Sequence, residues 1–298
     1  MALTAQQVET RKTGIGGSDC AIVLGLSKWK TARQLYHEKR GELPAAVSDE
    51  TEEQWWGRML EPVVRQKYAE KTGRTVMVPA DTIRSVAHPF MLAHIDGYTD
   101  DNRGYEGKTA MASTGWGEEG TDAIPTEYLF QTHHYMVVTQ LPVFDVATLI
   151  GRRFAFYEVQ ADAELHEMIV AAESEFMRRV REGDPPPLDY LHKTAIDCVK
   201  LMYPGTNGTR IAADAEAIRC RDGMTAAAAI INEQTKIRDG WKAQLLDIMG
   251  EAALLAFPDG KCYRRAKVDK DAYTCEATSY VDARFINDPD LKKGSKRK

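Results

Sequence analysis

Along this chain apolar residues recur with two different periods, and the places where one period gives way to the other mark out its elements. Residues 14–18, GIGGS, form a glycine-rich turn into the short apolar run of DCAIVLGLS, which predicts one or two buried helical turns. A helix follows from the cap at Thr31 through Leu35 and Tyr36 to the Gly41 and Pro44 stop. Residues 50–71 repeat with a helical period as far as Gly73, with Pro62 able to kink them. The pattern then turns strand-like in RTVMVPADTIRSV, FMLAHIDGY and GYEGKTA, the last two separated by the polar turn TDDNRG.

Helical periodicity returns at 125–140, and residues 143–159 read as two strands turning at Gly151. A capped amphipathic helix follows from 161 and is broken by prolines at 185–187. Strands between helices predict an α/β domain over residues 1–200. Past the turn-rich YPGTNGT, residues 201–298 predict a mainly helical extension: an alanine-rich region interrupted at Gly223, Gly240 and Gly250. KCYRRAKV and YTCEATSYVDARFI then suggest a terminal hairpin, and the last seven residues hold five Lys or Arg. That tail reads first as a solubilising end.

Composition changes this picture little. With 298 residues, 43% hydrophobic, the chain can bury a large core, and nothing in it has the length of a membrane helix or the apolar core of a signal peptide. A cytoplasmic location is the expectation. Cys20, Cys198, Cys220, Cys262 and Cys275 show no Cys-x-x-Cys spacing, which argues for reduced thiols and against a zinc knuckle or iron–sulfur cluster. The net charge of −5 argues mildly against nonspecific coating of nucleic acid.

The candidate chemistry sits in FMLAHIDGYTDDNRGYEGKTA. If 90–98 and 104–110 pair about a turn centred on Asp101, opposed residues keep a constant index sum, which sets Asp96 opposite Glu106 at roughly 5 Å. Lys108 then shares their face. Two carboxylates so close call for a positive partner, and oxygen ligands of this kind suit Mg²⁺ or Mn²⁺. A lysine beside them can orient or deprotonate a water, as metal-assisted phosphodiester hydrolysis requires. Taken alone, the pattern is far more often that of an ordinary edge strand beside a turn. Two further residues stand where apolar ones would be expected: Glu61 on the stripe of Val64 and Tyr68, and Gln131 on a face with Tyr128, Tyr135 and Val138. Arg11 and Ser18 bracket the GIGGS turn, where amides at a helix start can hold a phosphate. His94 falls on the strand face of Asp96 and reads as structural, and His133 and His134 as helix residues without a role.

RKTGIGGSDCAIVLGLSKWKT, WGRMLEPVVRQKYAEKTG, HIDG, EGK and PTEYLFQTHHYMVVTQ, in that order over residues 11–160, resemble the YqaJ-type viral recombinases, relatives of phage lambda exonuclease within the PD-(D/E)xK nucleases. The resemblance implies a restriction-endonuclease-like core with a central mixed sheet flanked by helices. It implies Mg²⁺ at Glu61, Asp96, Glu106 and the carbonyl of Gly107, with Lys108 handling the water, Gln131 and Tyr128 in support, and Arg11 with Ser18 at a 5′-phosphate. Gly107 departs from the family, which usually has an apolar residue there, and the strand should lose stiffness and packing. The implied activity is digestion of one strand of double-stranded DNA from its 5′ end, leaving a 3′ single strand for a phage-type annealing protein. The implied assembly is a homo-oligomer, such as a trimeric ring. An endonuclease of the same superfamily and a noncatalytic DNA-binding assembly protein are the alternatives.

Overall fold

The computed structural model describes residues 13–43 and 51–268. Arg11, Cys275, the second half of the expected terminal hairpin and the basic tail lie outside them. The chain divides between Pro204 and Gly205 into two compact units.

The first unit is mixed α/β. Its main sheet has the order β2-β5-β6-β7-β8, built from Val76–Met77, Gly97–Thr99, Gly104–Ala110, Val143–Ile150 and Arg153–Gln160. β6 and β7 pair in parallel over seven residues from Gly104↔Phe144 to Ala110↔Ile150, and the remaining neighbours are antiparallel. A small second sheet, order β1-β4-β3, joins Ile15–Gly16, Met91–Ala93 and Ile83–Arg84. The segments 74–86 and 90–98, each expected as one strand, are therefore each divided between two sheets. The crossing from β4 to β5 falls at His94–Asp96.

Helix α1 (Gly17–Val23) and α2 (Ala32–Lys39) follow β1, and the Thr31 hydroxyl caps α2 by accepting from the Gln34 amide. Helix α3 (Glu52–Thr72) starts in a reciprocal cap between Thr51 and Gln54, runs through Pro62, and stops at Gly73 with φ +75°. Its Val64 and Tyr68 pack on Tyr105 and Ala147, covering one face of the sheet. The opposite face, with Phe144, Val146 and Val159, is covered by α4 (Thr126–Thr139) and α5 (Ala163–Glu182). This alternation of β6 and β7 residues sends Glu106 towards α4 and Tyr105 towards α3. A short helix, α6 (Ala195–Met202), was not foreseen in the sequence.

A buried ionic network pins the turn between β5 and β6. Asp145, fully buried, takes a two-point contact from Arg103 at 3.0 and 2.7 Å, a third from Arg74 at 3.4 Å, and the Tyr68 hydroxyl. Breaking such a set by removing one member costs about 3–5 kcal/mol, since a charge is then left buried without compensation.

In the second unit α7 (Ala215–Met249) is continuous: the helix passes through Gly223 and Gly240, which were expected to interrupt it, and ends at Gly250. Asp214 caps its start by accepting from the Ala217 amide at 2.8 Å. A hairpin follows, in which β10 (Cys262–Arg264), within the first of the two segments expected to pair near the end of the chain, pairs with β9 (Leu254–Ala256) across the FPDG turn.

Candidate active site

The β5–β6 pairing fixes the first part of the site. Gly97 faces Tyr105 and Tyr98 faces Gly104, so continuing the register one residue brings Asp96 opposite Glu106. The Gly107 amide donates to Asp96 Oδ2 at 2.9 Å, which leaves Oδ1 as a second acceptor. Lys108 Nζ donates to Glu106 Oε1 at 2.6 Å and lies 4.9 Å above the centre of the Tyr128 ring. Gln131 binds both: its Oε1 accepts from Lys108 at 3.3 Å, and its Nε2 donates to the same Glu106 oxygen at 3.2 Å. Tyr135, one turn further along α4, takes a second bond from that amide at 2.7 Å. The sequence placed Tyr135 on the right face without giving it a task.

Glu61 reaches the same space from α3. It is half-buried, with Arg65 Nη1 3.7 Å away, and together with Asp96, Glu106, Gly107, Lys108 and Tyr128 it lines a cavity of about 460 Å³. Thus Glu61, Asp96, Glu106, Lys108, Gln131 and Tyr128 are brought together. Ser18 is exposed at the start of α1, and its neighbour Gly17 stands against Gln131 and Tyr135. A Cβ at Gly17 would lie 2.4 Å from the Tyr135 ring and 3.1 Å from Gln131 Cγ, so the close approach of the GIGGS turn to the site requires glycine. His94 is exposed, within range of Glu61 for its charge to act there.

The electrostatics are those of a crowded acidic site. Burial, and then the neighbouring Asp96, push the Glu106 carboxyl up to about 7, against the opposing pull of Lys108. Burial also raises Glu61, with Asp96 adding to it. Burial alone would lower Lys108, but Glu106 and Asp96 outweigh it and hold the ammonium protonated. Glu106 Oε2 is buried and has no hydrogen-bond partner among the described residues. A carboxylate oxygen so placed, beside two further carboxylates and the Gly107 carbonyl, fits a hard divalent cation with oxygen ligands.

Tyr105 was not singled out in the sequence. Its hydroxyl is fully buried without a hydrogen-bond partner among the described residues, in the room that Gly107 leaves: a Cβ at Gly107 would be 3.2 Å from Tyr105 Oη and 3.6 Å from Asp96 Oδ2. The glycine that seemed only to weaken the strand makes space for this phenol beside the carboxylates.

A second group, Cys20, His134 and Glu173, has its ligating atoms within 4.8 Å of one another and is wholly buried. It does not suit a metal. His134 Nδ1 lies 2.8 Å from Glu173 Oε1 and Nε2 lies 2.9 Å from the Leu92 carbonyl oxygen. The Leu92 carbonyl oxygen can only accept, so Nε2 carries a proton, and Nδ1 is already engaged with the Glu173 carboxyl group. Despite its burial, His134 is raised by Glu173, and the Cys20 thiol is pushed up by burial and then by Glu173, which disfavours a thiolate. His134 thus has a structural task, tying α4 to α5 and to β4.

Carboxylates and a lysine at the bend of a mixed sheet, with a glutamine on the covering helix, define an α/β domain with a cation-competent acidic site. An alkaline exonuclease from Laribacter hongkongensis shares the fold, with a TM-score of 0.50 at 18% identity over 65% of this chain and 99% of that one. A phage-related exonuclease from Haemophilus somnus 129PT aligns at a TM-score of 0.44 and 13% identity over 57% of this chain and 96% of that one. Residues 7–142 match the YqaJ-like viral recombinase domain. The uncharacterized protein YqaJ of Bacillus subtilis strain 168 is 33% identical over 207 residues, which is 67% of this chain and 63% of that protein's length. This chain contains a YqaJ-like viral recombinase domain.

Proposed function

We propose that this chain is a Mg²⁺-dependent deoxyribonuclease that digests one strand of a duplex from its 5′ end. The observation that carries the reading is the Asp96–Glu106–Lys108–Gln131 constellation around the unpartnered Oε2 of buried Glu106. Glu61, Asp96, Glu106 and the Gly107 carbonyl would hold the cation. When bound, Mg²⁺ polarises the scissile phosphate and lowers the pKa of an attacking water. Lys108, protonated at Nζ and aimed by Glu106 and Gln131, orients a water and offsets charge on the phosphate. Gln131 keeps that lysine directed by presenting its oxygen to Nζ and its amide nitrogen to Glu106.

Ser18 and the amides at the start of α1, beside Gln131, support a seat for a terminal 5′-phosphate, with Arg11 as its charged partner. A seat for a chain end favours an exonuclease over an endonuclease. The product would be a 3′ single strand for an annealing protein of phage type. A ring of several copies would concentrate basic side chains around the duplex in spite of the acidic total charge. Among the described residues no helix is long and apolar enough to cross a membrane.

The test is digestion of end-labelled linear duplex carrying a 5′-phosphate or a 5′-hydroxyl, beside a covalently closed circle, with Mg²⁺ or with EDTA. Nucleotides should be released from the phosphorylated 5′ end in Mg²⁺ alone. Cutting of the closed circle would replace the exonuclease with an endonuclease, and inertness towards every substrate in Mg²⁺ and Mn²⁺ would remove the enzyme.

A further inference from the structure

We propose that Tyr105 is a positioning residue of the cation site: when the cation is held, its hydroxyl donates to the Asp96 carboxylate through the opening that Gly107 leaves by having no side chain. The inference rests on the reading of Glu61, Asp96 and Glu106 as cation ligands.

The hydroxyl is the feature that packing does not explain. Tyr105 is wholly buried, and its ring lies with Val64, Tyr68 and Ala147, the Tyr68 ring centre being 5.0 Å away. A phenylalanine would fill the same space without taking a polar group out of water. The phenol oxygen has no hydrogen-bond partner among the described residues, and buried polar groups left in that state are exceptions in folded proteins. Nor is the ring free to swing elsewhere. Val64 and Tyr68 hold it from α3, and a Cβ at Gly97 would stand 3.6 Å from its Cδ1 on the side of β5.

The atoms around Gly107 give the direction of the hydroxyl. A Cβ there would lie 3.2 Å from Tyr105 Oη and 3.6 Å from Asp96 Oδ2, so the two oxygens border one opening, which any side chain at 107 would fill. Asp96 is also the carboxylate that acts most strongly on the phenol, ahead of Glu61 and Glu106. Burial and these charges keep the phenol protonated, which makes it a donor here and not a base. Asp96 Oδ2 takes one bond, from the Gly107 amide at 2.9 Å, and a carboxylate oxygen can accept a second. With the amide and the phenol both on Oδ2, Oδ1 is fixed as the oxygen offered to the cation, in the way that outer hydrogen bonds orient metal-binding carboxylates. The movement required is a turn of the Asp96 carboxylate over the open position at 107.

The experiment follows Mn²⁺ binding to the full chain without DNA, from the electron paramagnetic resonance signal of the free ion, beside urea unfolding of each metal-free protein. Wild type should bind, and Asp96→Asn should not. Tyr105→Phe should weaken binding by about 10–100-fold without lowering the metal-free unfolding midpoint. Gly107→Ala closes the opening and should weaken binding as well; because both changes break the same contact, the double variant should bind no worse than the weaker single one. Wild type that takes up no Mn²⁺ would remove the cation site and this proposal with it. Binding lost in Asp96→Asn but undiminished in Tyr105→Phe would leave the site standing and overturn the role of Tyr105 alone. Weakened binding that comes with a lower metal-free midpoint, or losses that add in the double variant, would likewise overturn it.

Discussion

Glu106→Gln should flatten the dependence of folding stability on pH between about 4.5 and 7. In the folded chain Glu106 keeps its proton up to about pH 7, against an ordinary value of 4.5, because burial and Asp96 disfavour the charge. Between those limits the unfolded chain binds fewer protons than the folded one, so stability is full below 4.5 and is lost as the pH rises through 7. At 1.36 kcal/mol per pH unit, the interval corresponds to about 3 kcal/mol. His133 acts in the opposite sense in the same window, since burial and His166 push it down to about 4 and stability falls as the histidine is forced to charge. The quantity to measure is therefore the difference between wild type and Glu106→Gln in urea unfolding at several pH values. Lys108 stays protonated throughout and adds only a constant offset. At pH 8 Mg²⁺ should recover stability in the wild type by binding the folded form, and should do little for the variant. Parallel pH profiles, or equal Mg²⁺ stabilisation of both proteins, would refute the reasoning.

Asp96→Asn retains an acceptor for the Gly107 amide, so the fold should persist while cleavage of linear duplex falls by at least a hundredfold; near-normal activity would remove Asp96 from the site. Gly17→Ala drives a methyl into Tyr135 and Gln131, and should cost about 1–3 kcal/mol in urea unfolding together with a loss of cleavage. His134→Ala leaves Glu173 buried without its partner and should destabilise by about 3–5 kcal/mol, seen as a fall in the unfolding midpoint. Tyr105→Phe removes a buried hydroxyl that has no partner among the described residues, and should raise the stability of the metal-free protein by about 1 kcal/mol.

The core of the site was legible because it is local. Asp96, Glu106 and Lys108 lie on one hairpin, whose register follows from the position of its turn, and the polar intruders Glu61 and Gln131 stand out against helical stripes. What the sequence hides are contacts across long separations. His134 and Glu173 are 39 residues apart, and each is unremarked on its own amphipathic helix. The division of 90–98 between two sheets cannot be read from a period of two, which continues unbroken through the bend. Glycines in α7 look like stops because propensity is judged one position at a time, whereas the helix extends over 35 residues.

The position of β6 within its sheet also bears on how the protein loses activity when stressed. Glu106 and Lys108 are carried by a strand bonded on one side to β5 and on the other to β7, in the middle of five, while β2 and β8 form the edges. Native proteins open in units, with edges and ends exchanging their amide hydrogens long before interior strands. The amides of residues 105–108 should accordingly fall in the slowest class of hydrogen exchange. Breathing at β2 or β8 then leaves the carboxylate and lysine geometry in place. Glu61, arriving on a separate helix, is the ligand that a sub-global opening can withdraw, so mild warming should weaken metal affinity before it disturbs the strand that carries the chemistry.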